Sequence, residues 1–332
     1  MKKQEVVVIT GASAGIGRAC VREFAKRKCK IGLIARGIDG LEGARKEVEA
    51  AGGEALALPT DVSDPAAVER AAEAVESRFG PIDTWVNVAF ANVFSEFVEL
   101  TPEEYRRITD VTYLGYVWST MTALRRMLPR NHGTIVQVGS ALAYRSIPLQ
   151  SAYCGSKAAI RGFTDSIRCE LVNRGSKVHI TMVQMPGVNT PQFSWNRTKL
   201  PRKPQPVPPI FQPEVAARAV WYAAHHHRRE LLVALSTVLA VNGQKFAGGL
   251  LDFYLGKTGY SSQQYDGNVS PDRPDNLYEP AKGDWGAHGD FDERSKARSW
   301  QLELVTKDKL VFATLASAFA GGWLLLRKQT SR

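Results

Sequence analysis

Tyr153 and Lys157 stand four residues apart in SAYCGSKAAIRGF, so on a helix they share one face. A phenol with a pKa of about 10 is a poor base at neutral pH. A lysine ammonium one turn away, aided by the positive charge of a cofactor, favours the phenolate and pulls that pKa toward working pH. Upstream, Ser140 closes the apolar run GTIVQVGS. Its hydroxyl can hydrogen-bond a substrate oxygen and hold it against Tyr153. Tyr-x-x-x-Lys alone is common on helices, and its weight here comes from the serine-ended strand before it and a glycine turn further upstream. That turn, Thr10-Gly11-Ala12-Ser13-Ala14-Gly15-Ile16-Gly17, follows the first strand and opens a helix. Without Cβ atoms, Gly11, Gly15 and Gly17 let the backbone turn tightly, so helix N-terminal N–H groups can face a pyrophosphate. The G-x-x-x-G-x-G spacing differs from the common G-x-G-x-x-G. The second strand ends at Ala35-Arg36, where an acid would ordinarily grip the ribose 2′-hydroxyl of NAD. A guanidinium there can pair with a 2′-phosphate through two hydrogen bonds, which favours NADP(H) over NAD(H). Asp39 nearby could still serve a 2′-hydroxyl. Asp61-Val62, closing the third strand, is placed to meet the adenine edge, although an aspartate here could instead cap the helix that begins near Pro65.

The elements that must position these groups alternate along the chain. Short β-branched runs at 6–10, 30–36, 54–60, 84–89, 133–139, 178–184 and 230–235 are separated by helix-length periodic segments. Several runs are apolar throughout, as expected of strands covered by helices on both faces. Right-handed crossovers then give an α/β fold, a Rossmann-type doubly wound parallel sheet of about seven strands, with ligands bound beyond the strand C-termini. We expect a dinucleotide-binding catalytic domain over 1–240, an irregular extension or arm over 241–305, and a hydrophobic terminal helix over 306–332. Between 188 and 213, seven prolines interrupt any helix while Phe193, Trp195 and Phe211 add aromatic bulk, which reads as a mobile lid over a pocket.

The chain has 332 residues, 44% of them hydrophobic and 23% charged, a globular balance that excludes wholesale disorder and a multi-pass membrane protein. Of the net charge of +10, +9 lies in the first 239 residues, spread thinly there with no run of five basic side chains, so nucleic acid is not an expected partner. Four cysteines without CxxC spacing, and histidines 225–227 at a helix end beside Arg228 and Arg229, give no metal site. The start, MKKQEVVVIT, lacks a secretory apolar stretch, so the catalytic part is expected in a reducing cytoplasm. Residues 310–326, LVFATLASAFAGGWLLL, are uncharged between basic flanks. As a helix they would span about 26 Å, the lower limit for crossing a bilayer core, and a C-terminal membrane anchor is expected there.

Taken together, Thr10–Gly17, Asn87 in WVNVAF, Ser140, Tyr153-Cys-Gly-Ser-Lys157 and Pro186-Gly187-Val188-Asn189-Thr190 make the chain resemble a short-chain dehydrogenase/reductase over about residues 5–240. The resemblance implies that Tyr153 is the general acid/base, that Lys157 lowers its pKa and binds the nicotinamide ribose, and that Ser140 orients a carbonyl. It further implies that Val188 and Thr190 contact the carboxamide, that the substrate is a small carbonyl or alcohol, and that the chain forms a homo-oligomer. Two positions depart from the family pattern. Asn-Asn-Ala-Gly reads Asn87-Val88-Ala89-Phe90, which puts a large ring beside the substrate entrance. The family's catalytic asparagine aligns with Thr112, whose single hydroxyl puts the proton relay to Lys157 in question. The expected activity is NADP(H)-dependent interconversion of a carbonyl and a secondary alcohol on an apolar or amphipathic substrate, with Phe90, Leu142, Tyr144, Phe193 and Trp195 as pocket walls. The alternative is a catalytically weakened nucleotide-binding scaffold acting through partner contacts.

Overall fold

The computed structural model describes residues 4–307. Seven strands form its central sheet: β1 (Val6–Thr10), β2 (Lys30–Ala35), β3 (Glu54–Pro59), β4 (Thr84–Asn87), β5 (Thr134–Ser140), β6 (His179–Met185) and β7 (Glu230–Leu232). They lie in the order β7-β6-β5-β4-β1-β2-β3, and every neighbouring pair is parallel. The chain therefore winds outward from β1 in one direction and then from β4 in the other, which is the Rossmann-type arrangement expected from the alternating pattern. The winding reverses between β1 and β4, so their C-terminal ends part there and leave a crevice. Both sheet faces are apolar because both are covered. Helices α1 (Gly15–Ala25) and α2 (Ile38–Ala50) share one core with Pro213–His225, while α3 (Pro65–Phe79), α5 (Gly115–Met127) and α6 (Ser151–Asn173) share the other.

Local signals start several of these helices. Asp64, rather than Asp61, caps α3 by accepting from the amides of Ala66 and Ala67, with Pro65 at the first helical position. The short α4 (Pro102–Thr109) opens on a Thr101/Glu104 capping box. Between α4 and α5 the chain passes through a single π-helical turn, Asp110–Leu114, the kind of irregularity that re-aims side chains. Helix α7 (Pro213–His225) then leads into β7.

The chain beyond 232 differs from an irregular arm. A long helix, α8 (Leu235–Ser262), runs across the expected boundary at 240, with one non-helical residue, Ala247, inside it. Glycines at 243, 248, 249 and 256 and apolar residues on all sides conceal it from a periodicity reading. Gln264–Asn268 then pairs with Arg202–Pro204 of the proline-rich segment, and Ile210–Phe211 pairs with both Gly187–Val188 and Ser295–Lys296. From 270 to 299 the chain runs through turns and bends, with a 3-10 turn at Asp292–Arg294, before the short helix α9 (Trp300–Thr306). The expected anchor at 310–326 lies outside the described residues. Among the described residues no helix is long and apolar enough to cross a membrane.

Candidate active site

At the C-terminal end of β1 the glycine turn folds back under the crevice. Gly11 has φ +68°, and a Cβ there would come within 3.0 Å of the Ala89 backbone just past β4. Gly17 is tighter still, because its Cβ would lie 2.0 Å from the Gly11 carbonyl oxygen. Helix α1 starts without a side-chain cap and with no acid in its first turn; the Gly286 carbonyl takes its first amide, Gly15, while Ile16 and Gly17 line the crevice at the positive end of the helix. That is the chemistry a pyrophosphate requires, so the residues fit a dinucleotide cofactor.

The crevice continues into a cavity of about 550 Å³. Gly11, Ser13, Gly15, Ile16 and Gly17 line its end beside β1; Arg36, Asp61 and Val62 line the end beyond β2 and β3. Pro186, Gly187, Val188 and Thr190, following β6, line the far side. Ser140, Tyr153 and Lys157 meet on the same wall with Phe90, Leu142, Phe193 and Trp195.

Three sequence-selected residues sit elsewhere. Asn87 is fully buried beneath the crevice, where it accepts from the Trp85 indole at 3.0 Å and donates to Gln137 at 2.9 Å and to Thr120 at 3.3 Å. It ties β4 to β5 and α5 from below. Thr112 is also buried, and its hydroxyl both donates to the Ala91 carbonyl at 2.8 Å and accepts the Ala91 amide at 2.9 Å. Tyr144 turns off the cavity because Glu230 of β7 takes its hydroxyl at 2.8 and 2.9 Å, while Arg161 lies 4.4 Å over its ring.

Ser140, at the end of β5, accepts from the Leu142 amide at 3.1 Å and hydrogen-bonds the Tyr153 phenol. The Phe90 ring meets Tyr153 edge-on with centroids 5.8 Å apart. Lys157 is 2% exposed. Its Nζ donates to the Val138 carbonyl of β5 at 2.8 Å and to the Tyr116 hydroxyl of α5 at 3.1 Å, and it lies 5.6 Å from the Tyr153 ring centre. Burial pulls the Lys157 ammonium down to about 7 and pushes the Tyr153 phenol well above its usual range, against a smaller lowering by the Ser140 hydrogen bond. The expected drop in the Tyr153 pKa is therefore absent in the protein alone: desolvation of both groups outweighs their mutual attraction.

Sequence reading missed two contributors. Tyr116 lies one helical turn past Thr112 in YLGYVW, a spacing that places it beside the same lysine. The other is the C-terminal half, since Leu239, Leu251, Tyr254 and Leu255 of α8 and Pro280, Gly283 and Trp285 of the extended arm close the cavity. The arm is fastened along the whole cofactor end. Its Asn276, Leu277 and Tyr278 carbonyls hold the Arg36 guanidinium. The Gly283 amide donates to Asp39 at 2.9 Å, Asp284 pairs with Arg18 at 2.9 Å, and the Gly286 carbonyl accepts the Gly15 amide at 3.0 Å. Arg36 is pulled below its usual pKa by burial and by neighbouring Arg107, so two guanidinium groups crowd this end. Among the described residues no group of three or more His, Cys, Asp or Glu side chains could hold a metal ion.

Comparison with known proteins bears on this arrangement. A family model described as short chain dehydrogenase matches residues 5–200. The uncharacterized oxidoreductase YxnA of Bacillus subtilis (strain 168) is 32% identical over 284 residues, 85% of this chain and 80% of that protein. The 3-ketodihydrosphingosine reductase of Bos taurus is 32% identical over 199 residues, 58% of this chain and 59% of the reductase. Other curated relatives are likewise matched over about half of their length. Among solved structures, the alcohol dehydrogenase of the archaeon Thermococcus sibiricus, complexed with 5-hydroxy-NADP, aligns with a TM-score of 0.60 and 28% identity, covering 69% of this chain and 95% of that one.

Proposed function

The chain belongs to the short-chain dehydrogenase family and is an oxidoreductase of CH–OH and C=O groups, and within that class we propose that it uses NADP(H) to interconvert a ketone and a secondary alcohol on an apolar or amphipathic substrate, with Tyr153 as the acid/base. The observation that carries this reading is that Ser140, Tyr153 and Lys157 line one cavity together with the glycine turn. A dinucleotide bound along that wall supplies the hydride acceptor or donor. The α1 N-terminus and Ser13 would hold its pyrophosphate, Thr190 and Val188 its carboxamide, and Lys157 its ribose.

Arg36 supports the phosphorylated cofactor, because the arm fixes its guanidinium beside Arg107 and the Asp39 carboxylate is taken by the Gly283 amide. The Thermococcus sibiricus enzyme, crystallised with 5-hydroxy-NADP, is consistent with that choice. Ser140 would hold the substrate oxygen, and Tyr153 would give it a proton in reduction or take one in oxidation. Apolar residues of α8 and the aromatic side chains of Phe193 and Trp195 favour a substrate with a long hydrocarbon body. The bovine relative, whose name specifies a sphingoid ketone, fits the same class. We further propose that the chain acts as a homo-oligomer.

The test is NADPH oxidation against a panel of ketones of increasing chain length. Turnover is expected for the longer members. Tyr153→Phe should lower kcat by at least about a hundredfold while NADPH binding persists. Equal rates for wild type and Tyr153→Phe would refute the assignment. Tight NADPH binding with no turnover of any carbonyl would favour a binding scaffold, a reading to which Phe90 pressed on Tyr153 lends its own weight.

A further inference from the structure

Resting on the oxidoreductase reading above, we propose that Tyr116 is a positioning residue for Lys157, serving from α5 as its hydrogen-bond partner in both the charged and the neutral state. Three atoms form a closed triangle: Lys157 Nζ, Tyr116 Oη and the Val138 carbonyl oxygen, separated by 3.1, 2.9 and 2.8 Å. In that triangle the Tyr116 hydroxyl donates to Val138, so its lone pairs face the ammonium. Two of the three ammonium N–H groups are thereby satisfied, and the third is left for the cavity that Lys157 lines. When Lys157 loses a proton, rotation about the phenolic C–O bond lets Tyr116 donate to the amine lone pair instead. A backbone carbonyl cannot make that exchange, because it only accepts.

Among the described residues no other side chain hydrogen-bonds the Lys157 ammonium. The Thr112 hydroxyl, the nearest candidate by sequence, is closed onto the backbone N–H and C=O of Ala91. Of the described titratable groups, Tyr153 from its own helix and Tyr116 from α5 face Lys157, and β5 contributes a backbone carbonyl. The exchange matters because burial brings the Lys157 ammonium down to about 7, so both states are populated at neutral pH. Tyr116 itself is fully buried, which pushes its phenol well above the usual range and keeps it neutral throughout.

Tyr116→Phe keeps the ring and removes only the oxygen. Both states lose a bond, but the one lost by the ammonium is charge-assisted and the stronger of the two, so the Lys157 pKa falls and the Tyr153 phenolate loses support at a given pH. We expect the rising limb of alcohol dehydrogenation, plotted as log kcat/KM against pH, to move up by about one unit, with a loss of about tenfold below the limb and little loss above it. A residue that merely fills space would lower the whole profile evenly, and that result would overturn the proposal. A second measurement needs no turnover. In protein carrying 13C at lysine Cε, the Lys157 resonance is assigned by its loss in Lys157→Met, and its titration midpoint should fall by about one unit in Tyr116→Phe. An unchanged midpoint overturns the proposal even if the enzyme is active. A shifted midpoint in a protein that turns over no carbonyl or alcohol refutes the oxidoreductase reading and leaves the role of Tyr116 standing.

Discussion

The Asp284 carboxylate is one of the ties that hold the arm against α1 and α2, and a pair of substitutions can show it. Arg18 of α1 is 2% exposed and binds Glu47 at 2.8 and 3.1 Å, Asp284 at 2.9 and 3.2 Å, and the carbonyls of Ser13 and Gly40. Asp284→Ala leaves the guanidinium paired with Glu47, so no charge is stranded, and the lost carboxylate is itself 41% exposed. Its cost should thus fall between the ~0.2–1 kcal/mol of a surface pair and the ~3–5 kcal/mol of a broken buried one, at about 1–2 kcal/mol. Gly43 of α2 supplies the cross-check. A Cβ there would lie 2.0 Å from Asp284 Oδ2. Alanine in a helix interior ordinarily gains ~0.5–1 kcal/mol over glycine. Gly43→Ala should therefore destabilise the wild type by displacing Asp284, and cost less in the Asp284→Ala protein, where that oxygen is gone and only Arg18 Nη2, 2.8 Å from the new Cβ, must still give way. Urea denaturation of the four proteins measures the coupling. Trypsin cleavage at exposed Lys282 should accelerate in either single variant. If Gly43→Ala changes stability equally in both backgrounds, Asp284 does not sit against α2 and the arm is not fastened as described.

Two further outcomes follow from the same geometry. Gly17→Ala places a methyl 2.0 Å from a backbone oxygen that no side-chain rotation can move, so the turn must open. At ~1–3 kcal/mol of overpacking, NADPH affinity should drop about 5- to 150-fold in a fluorescence titration, and wild-type affinity would count against the turn as the phosphate site. Glu47 concerns acid stability: burial raises its pKa, but hydrogen bonds from Arg22 and Arg18 outweigh burial and hold it at about 2. A pKa depressed in the folded state contributes stability that is present above the ordinary 4.5 and is lost as pH falls toward 2. Glu47→Gln should flatten the decline in unfolding free energy between those values. An unchanged slope would mean that the carboxylate is not paired in solution.

How much of this was legible in the sequence depends on how local each constraint is. The seven strands, the glycine turn and the Ser140, Tyr153 and Lys157 set rest on short-range patterns, and strand ends fall within three residues of those expected. Asn87, Tyr144 and Thr112 show the limit. Their positions in the chain were read well enough, but the side-chain direction was settled by distant partners: Gln137 for Asn87, Glu230 for Tyr144 and the Ala91 backbone for Thr112. The arm was invisible as a cavity wall because its hold comes from backbone groups and scattered polar side chains such as Asp275, Asp284 and Asp292, which carry no pattern. Arg36 illustrates both sides. Its place at the end of β2 was readable, whereas its capture by carbonyls 240 residues later was not.

That enclosure also bears on how Tyr153 and Lys157 can work. Burial favours the uncharged form of each, so the protein alone keeps a neutral phenol beside a lysine that is charged only part of the time. Separating the proton from Tyr153 then requires additional positive charge inside the cavity or a firmer hold on the ammonium. The first can come only from what the cavity binds. The second is supplied by the chain itself at Val138 and Tyr116. The C-terminal half therefore does more than lie beside the sheet, because Leu239, Leu251, Tyr254 and Leu255 of α8 line the same cavity as Tyr153 and Lys157.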